Sequence, residues 1–319
     1  DELLFLKKIK DGKFYYDSYN LQNILVSKNE IFNIPYKMII KNDKFNKNIL
    51  AEFKSNKIRL NVDNKISYES EIKDGILNVS FINKSSSLNY QIKKNSINFE
   101  SQDQTLVNGS IDFKPFYFQA NFDYDGISIK DLFDTDSILI DLIKSEIFNN
   151  ENLNVNINLN VRDITNIDEL NNLSLILALE QGAIGLSKSK IMWKDDLEVI
   201  MNEGFIRYDN EEGIIVIGKI TINAKDIKDF YKSFQIEKIH RNEFKKINLD
   251  FVYNFNKNKF RFDNIKIDNN SNEEIEKFIT KYNLSEKKFS NKITFKNFIN
   301  NFFSVYDGWV IFLGFTILS

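Results

Sequence analysis

The sequence contains no cysteine, which excludes disulfides, Cys-ligated zinc, iron–sulfur clusters and thiol nucleophiles together. Its one histidine, His240, sits in the polar run Glu237-Lys-Ile-His240-Arg241, so no pair or triad of histidines can hold a metal, and no Ser stands in a readable arrangement with it and an Asp. Two prolines and eleven glycines in 319 residues leave no Pro- or Gly-rich linker. Charge of neither sign dominates: 43 Lys and Arg against 45 Asp and Glu give a net of −2. That balance argues against a nucleic-acid partner, because such binding rests on clustered Lys and Arg neutralising phosphates. A long apolar run is missing too. The longest, Trp309–Leu318, is ten residues, where a membrane helix needs about 20. It reads as a terminal strand, an interfacial segment or the start of something longer. No basic segment followed by an apolar stretch opens the chain, so no signal peptide is read. A start at Asp1 instead of Met leads us to expect a fragment or a processed product.

What is present is aromatic and alternating. Hydrophobic residues are 42% and charged residues 28%, a globular balance and not a disordered one. The 29 Phe and 13 Tyr stand out, although Asn, Lys, Ile and Phe share AT-rich codons. Period-two patterning dominates, and it places apolar side chains on one face of a strand. Leu153, Val155, Ile157, Leu159 and Val161 alternate with Asn152, Asn154, Asn156, Asn158 and Asn160. Phe116, Phe118, Ala120, Phe122 and Tyr124 form a second stripe. Leu249, Phe251, Tyr253 and Phe255 form a third, continued beyond an Asn256–Asn258 hairpin connection by Phe260, Phe262, Ile265 and Ile267. Segments near 57–62, 66–72, 76–82, 88–93 and 96–100 read as further short strands.

Helices interrupt this pattern in four places. Residues 129–148 are near a 3.6 period. Asp226 is placed to cap a helix that gathers Ile227, Phe230, Tyr231 and Phe234. A third helix follows Ser271, with Ile275, Phe278 and Ile279 in one stripe. A fourth spans roughly 293–304, with Phe295, Phe298, Ile299, Phe302 and Phe303. The expected fold class is therefore mainly β: an elongated, curved antiparallel sheet with an apolar groove and a few short amphipathic helices. The best internal seam falls at 126–131, dividing an N-terminal β-rich part, 1–125, from a C-terminal β-rich region with helices, 126–319.

Two motifs look catalytic or metal-binding and are not. Gly213-Ile-Ile-Val-Ile-Gly218-Lys219-Ile220 nearly spells a phosphate-binding loop. It lacks the Ser or Thr after the lysine, and its β-branched interior suits a strand. Asp123-Tyr-Asp125-Gly126 resembles part of a calcium loop, but position 132 is Leu where a Glu ligand is needed. We read it as a turn after a strand. No carboxylate spacing singles out an acid–base pair, no metal site is indicated and no cofactor is required. Paired carboxylates in a glycan hydrolase are the enzymatic rival, revived only by turnover that a single Asp or Glu change abolishes.

From about Tyr117 onward the chain resembles the AsmA-like family of bacterial envelope proteins, related to TamB and to bridge-like lipid-transfer proteins. Three stretches carry the resemblance. The first runs from Phe122-Asp-Tyr-Asp-Gly126 through Leu132-Phe and Asp136-Ser-Ile-Leu-Ile to Glu151–Val161. The second is Gln181-Gly-Ala-Ile-Gly-Leu-Ser-Lys-Ser-Lys-Ile-Met-Trp193, continuing to Tyr208. The third is Asp229-Phe-Tyr-Lys-Ser-Phe-Gln-Ile-Glu237, leading to the strands Ile247–Phe255 and Phe260–Asp268. The resemblance implies a curved sheet with an apolar inner groove on the periplasmic side of the bacterial inner membrane. It also implies phospholipid transport between inner and outer membranes, outer-membrane homeostasis, an N-terminal membrane anchor that this chain lacks, and no catalytic residues.

The resulting expectation is a non-enzymatic protein whose apolar stripes bind lipid acyl chains. The groove-lining candidates are Phe116, Phe118, Phe122, Leu153, Val155, Ile157, Leu159, Val161, Phe251, Tyr253, Phe260 and Phe262. Expected partners are phospholipids and the inner membrane through the missing anchor, with outer-membrane proteins as a further partner class. The alternative is an assembly factor that binds nascent outer-membrane barrels by strand addition.

Overall fold

The computed structural model describes residues 11–31, 34–57, 59–68, 73–81, 84–102, 106–128, 153–165, 167–180, 183–209, 211–285 and 292–306. The chain is mainly β, with eighteen strands and three short helices among the described residues. The helix expected at 129–148 and the apolar tail 309–318 lie outside the described residues. Two compact units are distinguished: Asp1–Asp168 with Asn172–Leu186, and Glu169–Asn171 with Ser187–Ser319.

The first unit is built on a β-meander. Its strands are β1 (Asp11–Asp17), β2 (Gln22–Ile31), β3 (Ile34–Asp43), β4 (Asn48–Ser55), β5 (Leu60–Ser67), β6 (Lys73–Phe81), β7 (Lys84–Ile92), β8 (Ser96–Ser101), β9 (Leu106–Phe113) and β10 (Phe116–Ile127). Each pairs antiparallel with the strand before it, and no register shift interrupts the ladder. Short polar connections make this possible. Asp17 accepts the backbone N–H groups of Tyr19 and Asn20, and Asp43 accepts that of Asn46, so each carboxylate ties its own turn. β11 (Asn154–Ile164), β12 (Leu170–Glu180) and β13 (Ala183–Gly185) follow.

Three sequence expectations change here. The sheet is mixed and not purely antiparallel, because β11 runs parallel to β10, from Tyr117 opposite Asn154 to Ile127 opposite Ile164. Asp123–Gly126 is not a turn: it continues β10, since the parallel partner supplies a ladder through Gly126 opposite Asp163. That stretch also lies inside the first unit. The segments at 57–62 and 66–72 share one strand, β5, which runs without a break from Leu60 to Ser67.

The second unit carries β14 (Ser189–Trp193), β15 (Leu197–Asp209), β16 (Gly213–Ala224), β17 (Lys246–Asn254) and β18 (Lys259–Ile267), with α1 (Lys228–Phe234), α2 (Glu273–Leu284) and α3 (Lys292–Val305). The segment that imitates a phosphate-binding loop is β16, paired on both sides. The hairpin at 256–258 joins β17 to β18, with Asn258 in the left-handed region at φ 48°. The three expected helices are present. The Asp226 carboxylate accepts the Lys228 N–H, 2.9 Å away, at the start of α1. Asn272 caps α2 by accepting from Glu274 and Ile275.

Apolar residues of α1, α2 and α3 close over one end of this unit's sheet. Phe230, Tyr231, Phe234, Ile275, Ile279, Phe302 and Phe303 pack with Leu197, Ile247, Ile265 and Ile267. The rings interlock edge to face, as Phe303 does with Tyr231 at 5.3 Å and 86°. This is a conventional closed core.

Candidate functional site: a one-sided apolar sheet

The register of the meander sorts its side chains onto two faces. One row runs through Ile49, Ile66, Gly75, Tyr90, Phe99, Gly109, Ala120 and Ile157, each opposite the next. The neighbouring row on the same face holds Ile92, Ile97, Ile111, Phe118 and Val155. From β1 to β10 no Asp or Glu falls on this face. The opposite face carries Glu52, Asp63, Lys65, Asp74, Glu100, Asp112 and Asp123 among many amides and hydroxyls.

Most described side chains of the apolar face are partly and not fully buried. Leu25, Met38, Ile40, Phe53, Val62, Leu77, Val79, Leu88, Ile97, Phe99, Ile111, Phe118 and Phe122 all keep part of their surface exposed, while Tyr90, Val107, Ala120 and Val161 are buried. Rings meet along it: Tyr36 packs against Phe53 at 4.6 Å, and Phe99 stacks on Phe118 at 6.1 Å. Two glycines in the row make room for rings that lean across the strands. A Cβ on Gly75 would stand 2.2 Å from the Tyr90 ring, and one on Gly109 would stand 2.4 Å from the Phe99 ring. Burial lifts the Tyr90 phenol above its ordinary pKa, with its hydrogen bond to Asn64 pulling the other way. Burial alone lifts that of Tyr124.

Eight of the twelve candidates stand together on or beside this face. Phe116, Phe118 and Phe122 point to the same side of β10, and Val155, Ile157, Leu159 and Val161 continue it on β11. Leu153, buried, immediately precedes β11. The other four belong to the second unit. Tyr253 and Phe260 stack at 4.4 Å across β17 and β18, and Phe251 is buried beside Gly218. Phe262 lies 5.4 Å from Phe298 and 5.9 Å from Tyr282, so it is a core residue beneath α2 and α3. Sequence reading missed the apolar faces of β3 to β9. Their alternation is broken by Asn64, Gly75, Ser86 and Gly109, and only the register reveals that these gaps fall in otherwise apolar rows.

The polar face has its own relief. A cavity of about 870 Å³ crosses β4 to β10, lined by Lys65, Asp74, Asn89, Gln91, Asn98, Glu100, Asn108 and Gln119 among others. None of the twelve candidates lines it. Its side chains bond to one another: Asn121 donates to Asn108 at 2.9 Å, and Asn158 donates to Asn121 at 2.8 Å. Among the described residues no cluster of His, Asp and Glu could hold a metal ion, and no helix is long and apolar enough to cross a membrane.

Comparison with family models, with curated proteins and with solved structures finds no match for this chain.

Proposed function

We propose that the first unit binds lipid acyl chains along its apolar face, as a non-enzymatic lipid-carrying surface. One observation carries this reading: ten consecutive strands keep every carboxylate off one face while most of its described Leu, Ile and Phe side chains stay partly exposed. An acyl chain laid on such a surface gains about 0.8 kcal/mol for each methylene it buries, with no catalytic group required. The residues assigned to the surface are Phe116, Phe118, Phe122, Val155, Ile157 and Leu159, with the buried Val161 beneath them. The resemblance to AsmA-like proteins extends the reading to phospholipid transport in a bacterial envelope, on the periplasmic side of the inner membrane.

The test is mass spectrometry of organic extracts from the chain purified without detergent. Phospholipid at near-stoichiometric ratio is expected, and the double change Phe118→Asp with Ile157→Asp should remove it while far-UV circular dichroism keeps its strand signal. A well-folded protein free of lipid would reject the reading. Strand addition to a protein partner would then become the leading role.

A further inference from the structure

The meander puts the β1–β2, β3–β4, β7–β8 and β9–β10 turns at one end of the first unit. The first two of these turns, like the last two, lie about 10 Å apart, two strand spacings, and twice that separates the β3–β4 turn from the β7–β8 turn. Loop tips are ordinarily polar, but these carry large apolar side chains. Tyr19 is 92% exposed and Phe45 84%, each at a turn tip; Leu21 is exposed in the first of these turns, and Phe113 is exposed at the end of β9, before the last of them. The first two turns share one pattern, Asp17-Ser-Tyr19-Asn20 and Asp43-Lys-Phe45-Asn46. In both, the Asp and Asn side chains bond to each other at 2.8 Å, holding the chain so that the aromatic residue between them stands outward.

Lysines accompany the rings. Lys44, Lys47, Lys93, Lys94 and Lys114 lie exposed in these four turns, which contain no Asp or Glu of their own. Glu69 and Glu71, between β5 and β6 in the sequence, lie outside the described residues. Asp17 and Asp43 sit at the strand ends with their oxygens occupied by turn N–H groups.

From this arrangement we infer that the end of the first unit bearing these turns docks on a phospholipid bilayer. Aromatic side chains settle at the headgroup level, and lysines beside them reach the phosphates. Two tips about 10 Å apart, flanked by a row of cations, suit an extended surface better than a single small anion. The inference concerns the turn tips and stands apart from what the sheet face holds.

The test is flotation of the whole chain with two kinds of vesicle, phosphatidylcholine alone and phosphatidylcholine mixed equally with phosphatidylglycerol. The chain should float with both, more strongly with the anionic mixture. Tyr19→Ser with Phe45→Ser should lower partitioning about tenfold on both. Lys93→Gln, Lys94→Gln and Lys114→Gln together should lower it about tenfold or more on the anionic vesicles and far less on the neutral ones. All five positions are exposed, so circular dichroism should be unchanged. Failure of the unaltered chain to float, or equal flotation of the aromatic variant, would overturn the inference. Extracted lipid measured on the same variants separates the two proposals, since loss of flotation with lipid retained affects only docking.

Discussion

The ring of Tyr90 on β7 occupies the space that a side chain at Gly75, its directly opposed partner on β6, would need, and its hydroxyl donates to Asn64 on β5 at 2.7 Å. One aromatic side chain thus spans three strands, and the glycine is the condition for it. Gly75→Ala would force the ring aside and break the Asn64 bond, so we expect a loss of about 1–3 kcal/mol by urea denaturation. In a Tyr90→Ala background the same change should cost almost nothing. Gly109→Ala should cost more than Gly75→Ala, because its Cβ would meet the Gln119 carbonyl oxygen at 2.2 Å and backbone cannot swing away.

A carrier surface and a closed core respond differently to truncation. Phe303 is fully buried among the rings of the second unit, so Phe303→Ala should destabilise by about 3–5 kcal/mol. Phe118→Ala should cost distinctly less, since its side chain is only partly covered. Chemical denaturation of both variants checks this. Equal losses would mean that Phe118 also belongs to a packed interior.

The start of α2 depends on one side chain. Asn272 Oδ1 accepts from the N–H groups of Glu274 at 2.9 Å and Ile275 at 3.1 Å. Asn272→Ala should cost about 1 kcal/mol, and Asn272→Asp should retain the cap. A melting curve that does not shift for the alanine variant would refute that assignment.

Alkaline pH should loosen the second unit. Burial holds the phenol of Tyr282 up to about 12 and raises those of Tyr231 and Tyr306 as well, Tyr231 the most. A tyrosine freed by unfolding titrates near its ordinary value of about 10, so above that pH the unfolded chain binds fewer protons than the folded one. The stabilisation is whole below pH about 10 and drains away as pH rises through the folded-state values. The urea midpoint, followed by second-unit signals, should fall over that window, and more shallowly in Tyr282→Phe. A flat profile up to pH 12 would contradict the burial of these phenols.

Local patterning made much of this legible. The Asn-spaced stripe at 153–161 and the Phe stripe at 116–124 announce strands because strict alternation has one structural meaning, and their shared face then follows from pairing. The stripes of α1, α2 and α3 were readable for the corresponding helical reason. β1 to β4 were not, since Asn23, Ser27 and Asn29 fall on the same face as Leu25 and erase the alternation in β2. Non-local facts were also closed to reading. That β11 would pair parallel to β10, and so turn Asp123–Gly126 into strand, depends on a partner some 37 residues away, as Asn121 and Asn158 show. Phe118 and Phe262 look alike in sequence, but among the described residues Phe262 packs under the helices of its own unit while Phe118 meets Phe99 across the sheet. The docking turns escaped notice because a lone Tyr or Phe between polar residues carries no period.

The hairpin order of the first unit makes its width countable. From β1 to β10 each strand adds to the one before it, so chain length translates into breadth at about 4.8 Å a strand. Gain or loss of a whole hairpin would widen or narrow the sheet by about 10 Å, leave its greasy side greasy and keep every aromatic tip at the same end. Gain or loss of a single strand would reverse all that follows, sending later tips to the far end. A lineage of such chains can therefore lengthen the meander in steps of two without turning any later strand around, whereas a step of one needs a crossover like the one before the parallel β11.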